Sequence, residues 1–190
     1  VDKVKIEQAV RLLLEGIGED ITREGLIDTP DRIARMCEEI YGGLGHEADQ
    51  HLLKQFPVEN NEIVLEKDIT FYSMCEHHLL PFFGTVDIVY QPKDGCVAGL
   101  SKFQDIVNIL SRRPQLQERL ASELADSIMN DLSAHGVFVR ITATQLCMLI
   151  KGTMQQDSKV ITLESRGVLA ETGTLRDEAL AMLGGGQANV

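Results

Sequence analysis

The chain has 190 residues, 44% of them hydrophobic, with 29 acidic against 18 basic side chains and a formal net charge of -11. That length suits one ordinary domain with a small appended segment. The charge argues against non-specific nucleic-acid binding, which needs a cationic surface, but a local basic cluster can still hold an anionic small molecule. No apolar run approaches the ~20 residues of a membrane helix, and the opening VDKVKIEQAV lacks an apolar signal-peptide core. The four cysteines, Cys37, Cys75, Cys96 and Cys147, have no small-scaffold spacing and fit reduced thiols in a cytoplasm.

In chain order, Ile6, Val10, Leu13, Leu14 and Ile17 fall at helical spacing over residues 4–17. DTPDRIARMCEEIYGGL then reads as a helix with Thr29 as N-cap, Pro30 at the first helical position, and Gly42-Gly43 as the stop. Arg32 and Arg35 share a face of it. NEIVLEKDITFYS and GTVDIVYQP read as strands, bounded by Asn60-Asn61 and by Pro92 with Gly95. Ser101 is expected to cap a short helix through Leu110, and Pro114 to open a longer one carrying Leu116, Leu120, Leu124, Ile128 and Leu132. GVFVRITATQLCMLIKG alternates, which predicts a strand with Gln145, Cys147, Leu149 and Lys151 on one face. KVITLESRG is expected as a last strand and TLRDEALAML as a final helix before a Gly-rich frayed end. This order of helices and strand pairs predicts an α+β fold with an antiparallel sheet.

FYSMCEHHLLPFFG sets Cys75, Glu76, His77 and His78 side by side between apolar runs. Two readings stand: polar residues clustered at a strand end, or half of a metal site. A cysteine and a histidine three apart converge on one ion if the chain bends between them, and thiolate with imidazole is a common zinc ligand set. Cys147 is a candidate third ligand or a small core residue. Cys96 is a further candidate that would close the site. Three ligands with an open fourth position are the catalytic arrangement, in which zinc lowers the pKa of bound water toward ~7.

FYSMCEHHLLPFFG, GLSKFQDIV, RRPQLQERL and QLCMLIKG occur in this order, with DTPDRIARM upstream. Together they resemble GTP cyclohydrolase I over nearly the whole chain. The resemblance implies the tunnelling fold, two layers of helix and antiparallel sheet, with residues 1–57 an N-terminal helical segment and 58–190 the catalytic domain. It also implies a toroidal homodecamer with active sites at subunit interfaces, and a cytoplasmic enzyme of pterin biosynthesis with neither nucleic-acid nor membrane partners. The implied cofactor is Zn2+ on Cys75, His78 and Cys147, with His77 as the catalytic histidine beside it. Glu118 matches the carboxylate that holds a guanine base, and Gln117 beside it is expected to bind substrate. Ser101, in a catalytic role, and Lys102 match a pair near ribose and phosphates. Arg32 and Arg35 match cations that reach the phosphates from a neighbouring subunit. In the family reaction the imidazole ring opens at C8, formate leaves, the ribose rearranges and a dihydropterin closes. An imidazole, ordinarily titrating near ~6.5, is suited to move protons at the ring nitrogens.

Three positions depart from the pattern, all on the side that faces substrate in the family. Gln145 stands where a second catalytic histidine is expected; a glutamine hydrogen-bonds but cannot shuttle protons near neutrality. Lys151 replaces a phosphate-clamping arginine, keeping the charge without the two-pronged geometry. Asp105 stands where another phosphate-binding arginine is expected. Exchanging attraction for repulsion at 4 Å costs about 2 to 8 kcal/mol per phosphate contact, between the bulk-water and near-surface limits. These departures predict ring opening of a guanine compound with a changed substrate or a reaction that stops at the ring-opened product. The other class to weigh is a non-catalytic purine- or pterin-binding relative with a structural zinc.

Overall fold

The computed structural model describes residues 1–46, 55–59, 61–152 and 158–184. The expected strand boundary at Asn60 and the Gly-rich end beyond Gly184 lie outside them.

Two helices lead: α1 (Lys3–Gly16), capped by the Asp2 side chain on Lys5 N, and α2 (Thr29–Ile40). Asp28, not Thr29, occupies the cap position of α2, and its carboxylate accepts from Arg32 instead of capping. The two helices pack on each other, yet Leu12, Leu13 and Ile17 are mostly exposed.

A five-stranded sheet follows, in the order β5-β2-β3-β6-β7. Its strands are β2 (Val64–Cys75), β3 (Pro81–Gln91), β5 (Pro114–Gln115), β6 (Gly136–Gln145) and β7 (Val160–Gly167). Neighbours are antiparallel except β5, which runs parallel to β2 through Met74 and Cys75. Two further strands, unexpected from the sequence, form a separate antiparallel pair: β1 (Gln55–Pro57) with β4 (Cys96–Ala98). Alternation sorts the sheet residues onto two faces. Phe71, Phe82, Val86, Ile88, Val139 and Ile141 face α3 (Ser101–Ser111) and α4 (Gln117–Leu132), meeting Phe103, Ile106, Leu120, Leu124 and Ile128 in the main core. On the opposite face α6 (Thr174–Gly184) covers Val89 and Phe138 with Ala179 and Leu183.

Three expectations are corrected. Pro114 opens no helix: Pro114 and Gln115 extend along β2, Gln115 is fully buried, and α4 begins at Gln117. Ser101 does not cap α3; Leu100 holds the cap position without a side-chain bond. The strand predicted through Lys151 stops at Gln145, where a short helix, α5 (Leu146–Leu149), takes over. A strand advances ~3.3 Å per residue and would carry Cys147 away from the sheet end; the helical turn folds it back.

Candidate active site

The site is built where β2, β5, β6 and α5 meet. β2 ends at Cys75 in a tight turn: Leu79 N donates to Cys75 O at 2.8 Å, and Cys75 N to Leu80 O at 2.9 Å. Leu79 adopts φ +51°, a left-handed conformation that costs a non-glycine residue on the order of 1 kcal/mol or more, held here by the turn's own bonds. This bend answers the question raised by the C-x-x-H spacing, because it brings His78 back beside Cys75. Gly84 fixes the other wall. An added Cβ there would overlap the Thr142 carbonyl oxygen, so only glycine permits this approach of β3 to β6. The register that follows sets Gln145 opposite Phe82, and α5 then delivers Cys147.

The ligand atoms of Cys75, His78 and Cys147 lie within 4.8 Å of one another. Both cysteines are buried and the histidine is exposed. Burial, then the neighbouring Cys75 thiol, pushes the Cys147 thiol above its ordinary pKa. The Cys147 thiol so placed becomes a thiolate more readily beside a cation. The donor set of two sulfurs and one imidazole fits zinc with a position left open. Cys96, on β4 opposite Pro57, is not part of the cluster, so the closed alternative has no support among the described residues.

A cavity of about 310 Å³ opens on the cluster, lined by Cys75, His77, His78, Gln117, Glu118, Gln145 and Cys147 among others. Larger hollows of about 410 and 430 Å³ lie elsewhere but include none of these ligands. His77 is exposed, its ring edge-on to His78 at 6.2 Å between centroids. Glu118 sits in the first turn of α4 and is exposed. Between the histidines and this helix, Glu76 and Arg119 form a two-pronged ion pair of 2.6 and 3.1 Å, which holds the Glu76 carboxyl below its usual range. Sequence reasoning missed this pair; its only signal was an acid inside the motif and a base next to Glu118. Gln145 donates to Gln117 at 2.8 Å, and Gln117 donates in turn to two backbone carbonyls.

The cations expected for phosphate are arranged differently. Lys151 Nζ lies 3.1 Å from His78 Nε2. Lys102 is paired with Asp105 at 2.6 Å, Arg32 with Asp28 at 3.1 Å, and Arg35 with Asp31 at 2.7 Å. Ser101, Lys102, Asp105, Arg32 and Arg35 do not line the cavity in a single chain.

Fold and site together define an α+β protein with a metal-ligand cluster lining a cavity, an arrangement suited to hydrolytic chemistry. The sequence profile of GTP cyclohydrolase I matches residues 6–184. GTP cyclohydrolase 1 of Clostridium perfringens is 52% identical over 96% of this chain and 98% of its own. That of Carboxydothermus hydrogenoformans is 52% identical over 97% and 96%. The chain belongs to the GTP cyclohydrolase I family and is a cyclohydrolase-type enzyme. Among solved structures, an apo archaeosine synthase QueF-Like aligns over 57% of this chain and 97% of that one, with a TM-score of 0.45 at 18% identity. Among the described residues no helix is long and apolar enough to cross a membrane.

Proposed function

We propose that this protein opens the imidazole ring of a guanine compound at C8, using a zinc ion held by Cys75, His78 and Cys147. The observation that carries the reading is the convergence of these three ligands, within 4.8 Å, on a cavity that His77 and Glu118 also line. Zinc bound there supplies a Lewis acid that makes water nucleophilic near neutral pH, which the weakly electrophilic purine C8 requires. His77, beside the cluster and not among its ligands, moves a proton to the purine ring nitrogen as the bond to C8 breaks. The Glu118 carboxylate accepts from the guanine N1–H and exocyclic amine, a two-pronged contact that adenine cannot make.

The substrate reading rests on charge. Four cations are candidates for phosphate, Arg32, Arg35, Lys102 and Lys151, and three of them face a carboxylate of their own chain. Each exposed pair contributes only ~0–1 kcal/mol, so none is locked. The effect is on the field: Asp28, Asp31 and Asp105 offset three of the four positive charges that a triphosphate would meet. We read the preferred substrate as a guanine compound with fewer phosphates than GTP, and the reaction as stopping more readily at the ring-opened pyrimidine, because Gln145 cannot relay a proton.

The tunnelling fold and toroidal homodecamer belong to the same proposal, as do the division at 57/58 and a cytoplasmic enzyme without nucleic-acid partners. The exposed apolar residues of α1, the strand β7 at the sheet edge among the described residues with Ile161 and Leu163 exposed, and the absence of Ser101, Arg32 and Arg35 from the described cavity lining support a site completed by neighbouring chains. The test is formate release from GTP, GMP, guanosine and guanine, before and after removal of zinc. Zinc-dependent release from at least one is the expected result; release that persists without metal would overturn the assignment.

A further inference from the structure

The role of Gln117 can be read from its hydrogen bonds, on the reading that the cavity is the active site. Its side chain is buried, and its Nε2 donates to Ile141 O at 3.1 Å and Val160 O at 3.0 Å. Backbone carbonyls only accept, so both amide hydrogens of Gln117 are committed and its orientation is fixed. Its Oε1 must therefore face Gln145, and an acceptor there demands a donor. Gln145 meets it with Nε2 at 2.8 Å. The amide of Gln145 thus cannot flip without setting two carbonyl oxygens against each other. Its Oε1 has no hydrogen-bond partner among the described residues and is not sealed from solvent. Gln145 itself lines the cavity beside Cys75, His77, His78 and Cys147.

We propose that Gln117 is a positioning residue that holds Gln145 with its nitrogen inward and its oxygen presented to the cavity as a fixed, non-titrating acceptor for an O–H or N–H of the bound guanine nucleoside. Gln117 is then no direct ligand of substrate, contrary to the expectation from its neighbour Glu118. The relay also explains why glutamine fits position 145. A histidine N–H would satisfy the same Gln117 oxygen, but would leave its other ring nitrogen as a base. Glutamine leaves an oxygen that accepts a hydrogen bond and never takes the proton. Among the described residues the cavity side of this wall then offers recognition where a proton relay would otherwise stand.

The test is calorimetric binding of guanosine to the metal-stripped protein, with a single-turnover pH profile of the zinc-loaded protein as a second readout. Gln145→Met and Gln117→Met should each weaken guanosine by about tenfold, the loss typical of one hydrogen bond to a buried neutral group. The double variant should be no weaker than either single, because one residue acts through the other. Gln117→Met strands two carbonyls and is the variant at risk of misfolding; Gln145→Met leaves those bonds intact and keeps the binding test available. Gln145→His should add a limb near pH ~6.5 to the profile. Gln117→Met in that background should shift or abolish the limb, whereas a purely structural role would lower rates equally at every pH. Additive losses, an unaffected affinity in Gln145→Met, or a limb indifferent to Gln117 would overturn the relay alone. A wild-type protein that binds no guanosine would overturn the reading of the cavity, and the relay with it.

Discussion

The metal-ligand cluster and the basic side chains proposed for phosphate treat charge in opposite ways. At the cluster end, His77 and Glu118 are exposed beside Cys75, His78 and Cys147, and Glu118 has no ion-pair partner among the described residues. Away from the cavity lining, Lys102, Arg32 and Arg35 each face a carboxylate of their own chain, and Lys151 turns to His78 at the cluster. On the proposed function, His77 and Glu118 face no ion-pair partner among the described residues, whereas three of the four cations assigned to phosphate do. The difference makes the proposed chemistry at C8 and the proposed grip on the phosphates separable by experiment.

Changing the cluster end should have the largest effects. On the proposed zinc site, His78→Ala or Cys147→Ser should abolish zinc binding and, with it, turnover; Cys96→Ser should keep both, as read by metal content. His77→Ala should retain zinc while turnover falls by about 10² to 10⁴, the usual contribution of general acid–base catalysis. A wild-type rate there would detach His77 from the chemistry. Glu118→Ala should weaken guanosine by at least about tenfold while leaving adenosine unchanged, since two donors lose their acceptor. Equal effects on both nucleosides would place the base elsewhere.

Changing the phosphate end should have a smaller effect that depends on salt. Asp105→Arg should tighten GTP relative to guanosine by about thirtyfold at low ionic strength, near the lower Coulomb limit at 4 Å. The gain should shrink as salt rises. A gain equal for GTP and guanosine would show that Asp105 acts on something other than phosphate.

The smallest effect belongs to the pair that joins the two histidines to α4. The Glu76 carboxyl is held below its usual range by Arg119, so its stabilisation is fully present above the unfolded-state pKa near ~4.3 and fades as pH falls through the lower folded value. Glu76→Gln should lower the melting temperature slightly above about pH 5, and the difference should close below about pH 4. A difference independent of pH would make the pair irrelevant to stability.

How much was legible in the sequence follows from what each residue depends on. Helical and alternating apolar patterns marked α1, α2, α4, β2, β3, β6 and β7, because burial on one face is a local property. The β1–β4 and β5–β2 pairings were not legible, since each joins two or three residues across a long stretch of chain. The same limit applies to the site. Cys75 and His78 were suggested by spacing, but their convergence with Cys147 needed the α5 turn, which alternation in QLCMLIKG disguised as strand. Glu118 and the three departures came only with the family resemblance. The pairing of Lys102 with Asp105 and the bond of Gln145 to Gln117 depend on side-chain geometry that sequence does not carry.

The separability of ring chemistry from phosphate grip is tested most directly by product analysis. Zinc-loaded protein would be given GTP, GMP, guanosine and guanine separately, and the products identified by mass spectrometry. The account predicts ring-opened pyrimidine as the main product, formed faster from the less phosphorylated guanine compounds than from GTP. Efficient conversion of GTP to dihydroneopterin triphosphate, at a rate not improved by Asp105→Arg with Gln145→His, would contradict it.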